Sequence, residues 1–124
     1  MANPEYCIAL IGDRGAGKTA FIQLLKGIEP RILDDNKYYP TIGTEVHPIS
    51  HRQRLFNIYD MGKFSTFDRM PQIHAAILVT KKETPVAPVV PGNPPIIIVN
   101  NKDYAMNPAA ALNALNRVIQ ALNQ

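Results

Sequence analysis

The sequence predicts an α/β domain on a mostly parallel sheet of about five strands, with one antiparallel hairpin strand and a reduced helix set. Three observations carry this expectation. Apolar runs at residues 6–11, 75–79 and 96–99 lack alternation and end in turn residues, the pattern of strands buried on both faces. Helical spacing appears twice, after the first run and again near the end of the chain. With 124 residues, 46% of them apolar, the chain suffices for one core and one domain, residues 1–124.

Residues 6–11 read as the first strand, running straight into Gly12. Residues 17–25 then read as a helix, with Phe21, Leu24 and Leu25 at helical spacing and Gly27 as its stop. Residues 29–40 are polar and turn-rich, the character of a loop. Residues 46–49 and 55–59 read as a hairpin across the basic turn Ser50-His51-Arg52-Gln53-Arg54. The runs at 75–79 and 96–99 follow as parallel strands.

Between those two strands, residues 81–95 contain Pro85, Pro88, Pro91, Pro94 and Pro95. Each proline lacks an amide donor and clashes with the preceding turn, so the segment reads as an extended crossover. A last helix opens with Asn107 as cap and Pro108 in the first turn, and carries the stripe Leu112, Leu115, Ile119 and Leu122. The order implies three layers, with one sheet face thinly covered where the crossover lacks a helix. Such a face favours a partner or self-association.

The net charge of +3 suits solubility and mild attraction for anions. No basic run is interleaved with aromatics, so nucleic acid is not an expected partner. The single cysteine, Cys7, excludes an internal disulfide and fits a reducing compartment; set in an apolar run, it reads as a buried, inert thiol. His47 and His74 lie near apolar residues and read as packing residues. No histidines and cysteine stand at zinc-ligand spacing. The turn with His51, Arg52 and Arg54 reads as solvated. No leader, membrane span or prenylation cysteine is recognisable, and Ala2 stands where a myristoylated glycine would be. A soluble intracellular protein without a membrane anchor is expected.

Gly12-Asp13-Arg14-Gly15-Ala16-Gly17-Lys18-Thr19 matches the phosphate-binding pattern G-x-x-x-x-G-K-[ST] without a mismatch. The glycines let the backbone curl so that successive amides face phosphate oxygens, and the helix that follows adds its positive dipole end. Lys18 is expected to reach the β- and γ-phosphates, and the Thr19 hydroxyl to ligate Mg²⁺. A glycine-rich turn with a solvated lysine is the plain alternative. The strand running into the loop and the helix leaving it favour phosphate.

With this loop placed, the chain resembles the Ras superfamily of small GTPases, most closely its Ran branch. Tyr38-Tyr39-Pro40-Thr41-Ile42-Gly43 resembles the first switch, and Glu45-Val46-His47-Pro48 the strand start particular to the Ran branch. Asp60 stands where the DxxG aspartate holds Mg²⁺ through water, and Asn100-Asn101-Lys102-Asp103 resembles the guanine-reading NKxD. The resemblance runs from about residue 6 to 79 and resumes at 96–103.

It implies a P-loop NTPase fold, GTP and GDP as ligands, and Mg²⁺ held by Thr19, Thr41 and Asp60. The nucleotide would touch Asp13, Arg14, Gly15, Ala16, Gly17, Lys18, Thr19, Ala20, Gly62, Asn100, Asn101 and Asp103. Lys18 and Thr41 would carry the catalytic roles, partners of a Ran-like GTPase would engage the switch segments, and the location would be cytoplasm and nucleus.

Several residues depart from the family pattern. Arg14 replaces the loop glycine near the γ-phosphate, where it either impairs hydrolysis or points to solvent. Lys63, or Phe64 in an ungapped frame, stands in place of the water-positioning glutamine, and neither orients water as an amide does. Asn100 and Asp103 keep the N-x-x-D spacing but put Asn101 where lysine belongs; the pair Asn101-Lys102 would leave the aspartate one residue early. The first frame preserves the base-contacting carboxylate and is favoured. The family's third helix and its last strand and helix have no counterpart. Two functions compete: a GTP-binding protein with impaired hydrolysis, and a non-hydrolysing mimic that competes for partners of a Ran-like GTPase.

Overall fold

Apolar runs and hairpin signals resolve into β1 (Glu5–Gly12), α1 (Lys18–Leu25), β2 (Lys37–Tyr39), β3 (Thr44–His51), β4 (Arg54–Asp60), β5 (Ala75–Thr80), β6 (Ile96–Asn100), α2 (Asn101–Met106) and α3 (Ala109–Leu122). This computed structural model describes residues 4–12, 17–26, 37–39, 44–61, 71–86, 88–106 and 109–123. The strands form one sheet in the order β2-β3-β4-β1-β5-β6. β1 pairs in parallel with β4 and β5, and β5 with β6, whereas β3 runs against both its neighbours. The five expected strands and the single reversed one are therefore present.

The addition is β2. Residues 37–39, expected within a loop, pair with β3 from Lys37↔Val46 to Tyr39↔Thr44. Tyr38 and Tyr39 suit an edge strand, but a three-residue strand leaves too short a pattern to stand out from its polar surroundings.

Side chains of β1 alternate, so the core has two halves. Ile8 and Leu10 face one side with Phe56, Ile58, Ile77 and Val99, and meet Phe21 and Leu25 of α1 and Leu115 and Val118 of α3. Cys7 and Ala9 face the other side with Ala76, under Met61, Ile73 and Val90. No helical residue joins that second cluster among the described residues. Among the described residues, α1 and α3 pack on one face of the sheet, and the coil residues Met61, Ile73 and Val90 pack on the other. The prolines of the crossover explain this, since residues 81–86 and 88–95 hold neither helix nor strand. Small side chains at Cys7, Ala9 and Ala76 let the coil lie close.

The hairpin turn is tighter than expected. His51 and Arg54 still pair in the ladder, leaving Arg52 and Gln53 as the turn, with φ of +51° and +63°. Both lie in the left-handed region that two-residue hairpins require.

The last helix also differs in its face. Ala111, Ala114, Leu115 and Val118 are buried, while Leu112, Ile119 and Leu122 flank them half-buried. Two alanines on the contact line bring α3 close to the sheet. Its Arg117 guanidinium donates to the Ile98 carbonyl at 3.0 Å, and Asn116 Oδ1 lies 2.7 Å from His51 Nε2. The expected cap, Asn107, and Pro108 lie outside the described residues. Among these residues no helix is long and apolar enough to cross a membrane.

His74 does more than pack. Its ring Nδ1 accepts a hydrogen bond from the Cys7 backbone N–H at 2.9 Å, and the His74 backbone N–H donates to the Cys7 carbonyl at 2.9 Å.

Candidate functional site

Parallel strands carry their carboxyl ends to one edge of a sheet, here Gly12, Asp60, Thr80 and Asn100 at the ends of β1, β4, β5 and β6. The chain leaves β1 for β3 and β4 on one side and later returns to β5 and β6 on the other. Ligands of open α/β sheets collect at such a reversal, outside the carboxyl ends.

Lys18 opens α1 there. Its helix is preceded by Gly17, whose φ of +98° is left-handed and suits glycine. The lysine stem lies across Gly12. A Cβ at Gly12 would stand 2.7 Å from the Val79 carbonyl oxygen, and 3.1 and 3.2 Å from Lys18 Cγ and Cδ. Glycine is what allows the stem to pass. At its end, Lys18 Nζ lies 3.2 Å from Asp60 Oδ1 and donates to the Met61 carbonyl at 2.8 Å. An ammonium has three donors, and among the described residues two of them face Asp60 and Met61.

Thr19 and Ala20 follow in the first turn of α1, Thr19 exposed and Ala20 half-buried. The Asp60 carboxylate faces the Lys18 ammonium and supplies the hard oxygen that Mg²⁺ prefers, and Thr19, exposed, follows Lys18 in sequence. Hydroxyl and carboxylate oxygens are the donor chemistry that Mg²⁺ takes. Asp13, Arg14, Gly15, Ala16, Thr41, Gly62, Lys63 and Phe64 lie outside the described residues.

The other end of the edge is organised by Asn100. Its Oδ1 accepts from the Lys102 N–H at 3.0 Å and its Nδ2 donates to the Lys82 carbonyl at 3.2 Å. Thr80 Oγ1 accepts from the Lys82 N–H at 3.0 Å. The segment that resembles the base-reading box forms the cap and first turn of α2: Asn100 caps it, Asn101 is half-buried, and Asp103 is exposed in its first turn, where an acid is favoured. The cap escaped the sequence because N-x-x-D satisfies a helix start and a base-reading box alike. A groove of about 250 Å³, lined by Ile11, Gly12, Val79, Thr80, Lys82 and Val86 among others, runs beside the ends of β1 and β5. β1 and β6 stand two strand spacings apart, about 10 Å.

On the helix side of Asp60 lie residues that sequence reading left as packing or strand. Glu45 pairs with Asp60 across β3 and β4, and His47 with Ile58. One ligand atom from each of Glu45, His47 and Asp60 falls within 4.8 Å of the others. His47 is only 3% exposed, as its apolar setting led us to expect. Burial holds its imidazole below the usual histidine range, helped by the Lys26 charge and opposed by Glu45 and Asp60. A period-2 count from Glu45 to His47 was the available signal; the partner Asp60 needed the register.

No protein-family model matches the chain.

Proposed function

We propose that the chain binds a guanine nucleotide, GTP or GDP, with Mg²⁺, in the P-loop fold of a shortened small GTPase related to the Ran branch, and hydrolyses GTP weakly or not at all. The observation that carries this reading is Lys18, laid over Gly12 with its ammonium between Asp60 and the Met61 carbonyl at the carboxyl edge. On phosphate binding the ammonium would turn from Asp60 to the β- and γ-oxygens, and the first amides of α1 would add their dipole. Thr19, Thr41 and Asp60 would hold Mg²⁺, which when bound neutralises charge on the phosphates. Asn100 would keep the β6 end rigid while Asn101 and Asp103 meet the base.

Arg14 near the γ-phosphate and Lys63 in place of glutamine support slow hydrolysis. The same two residues support the second reading, a non-hydrolysing mimic that meets partners of a Ran-like GTPase through the switch segments in the cytoplasm or nucleus. Lys18→Ala should weaken GTP binding by tenfold or more while circular dichroism stays unchanged. A single-turnover assay then separates the readings, because hydrolysis at the rate of an ordinary small GTPase excludes the mimic. Undiminished GTP binding by Lys18→Ala would sink both.

A further inference from the structure

We infer that Glu45, His47 and Asp60 form a binding site for a zinc-type divalent cation, held by one imidazole nitrogen and two carboxylates, with the Lys18 ammonium competing for Asp60. The site does not rest on the nucleotide reading, since it needs neither phosphate nor the glycine loop.

The buried histidine is the first observation. His47 sits almost wholly inside the protein, yet among the described residues its Nδ1 meets no hydrogen-bond partner and its Nε2 faces the Glu45 carboxylate. A buried polar group without a partner is uncommon and calls for a role. Its Nε2 lies 3.3 Å from Glu45 Oε2. That separation is the edge of a tetrahedron: bonds of about 2.0–2.1 Å to one metal set neighbouring ligand atoms about 3.3–3.4 Å apart. Asp60 offers a third atom within 4.8 Å of both, from the adjoining strand.

Donor chemistry selects the ion. One nitrogen and two carboxylate oxygens suit zinc and its neighbours in the first transition row better than Mg²⁺, which takes oxygen and keeps its waters. A neutral imidazole is the ligating form, and burial favours it. Three protein ligands leave a fourth position for water. Glu45 is half-exposed and gives the ion a way in. The Lys18 ammonium, 3.2 Å from Asp60 Oδ1, and the charge of Lys26 both oppose a second cation. Removing Lys18 therefore opens the site, a response opposite to the one expected for GTP.

The test is calorimetric titration of the full, nucleotide-free, chelator-treated chain with Zn²⁺, repeated with Co²⁺ while its visible absorption is followed. One equivalent should bind, with the intense cobalt bands of a four-coordinate site, and excess Mg²⁺ should not displace it. His47→Gln and Glu45→Gln should each weaken binding at least tenfold, Lys18→Met should tighten it several-fold, and His51→Gln should change nothing. If His47→Gln fails to fold by circular dichroism, the half-exposed Glu45→Gln decides. The inference is overturned if no saturable binding occurs, if Glu45→Gln binds as tightly as the parent, or if His51→Gln abolishes binding. GTP affinity enters none of these readouts, so failure here is separate from failure of the nucleotide reading.

Discussion

Gly12 shows how one missing methyl governs the edge of the sheet. Its Cα is roofed by the Lys18 stem and walled by the Val79 carbonyl, so a side chain there must displace backbone. Gly12→Ala should cost about 1–3 kcal/mol in urea unfolding, the usual penalty of overpacking, and should weaken phosphate binding alongside. Cys7 gives a second residue-level prediction. Burial pushes its thiol up to about 11 from an ordinary 9.0, so the folded protein holds that proton more tightly than the unfolded chain. The stability this provides is whole below pH 9 and is lost as pH rises through about 11. The loss is on the order of 2–3 kcal/mol. Comparing Cys7→Ala with the parent over that range isolates it, because the variant should lose less stability. The G-x-x-x-x-G-K-[ST] pattern was legible from residue types alone, since its glycines and lysine stand at fixed offsets. The ion pair of Lys18 with Asp60 was not. It joins residues that meet only once β4 lies beside β1 in the observed register.

Elements were legible wherever a pattern was long enough to repeat. β1, β5 and β6 announced themselves as apolar runs, whereas β2 and α2 are short and lie in polar segments. The hairpin between β3 and β4 was read from its alternation, but the turn was drawn too wide because neither Arg52 nor Gln53 is a turn residue by habit. Both hold positive φ without the benefit of glycine or asparagine. Replacing the pair by Asn-Gly should therefore stabilise the protein by about 1 kcal/mol, seen as a higher urea midpoint at constant slope. An unchanged or lower midpoint would mean that the turn conformation carries no strain.

At the scale of the molecule, the proline crossover decides the architecture. Five prolines between β5 and β6 disfavour a helix there, and among the described residues Met61, Ile73 and Val90 pack on the second face over small side chains. Proline spacing made the crossover predictable; which of its valines turns inward depends on the path of the coil. Val90 is 2% exposed, while Val86 and Val89 are 90% and 88% exposed. Val90→Ala should cost about 1–3 kcal/mol, whereas Val86→Ser and Val89→Ser should stay within about 0.5 kcal/mol. Equal effects at all three would contradict the burial of Val90 against the sheet. The functional reading rests on the carboxyl edge of the sheet, from Asp60 past Gly12 to Asn100. Displacement of a fluorescent GTP analogue by unlabelled GTP, GDP and ATP in the presence of Mg²⁺ tests it most directly. GTP and GDP should displace the analogue at comparable concentrations, with ATP at least tenfold weaker; no binding of the analogue, or displacement by ATP as readily as by GTP, would contradict the account.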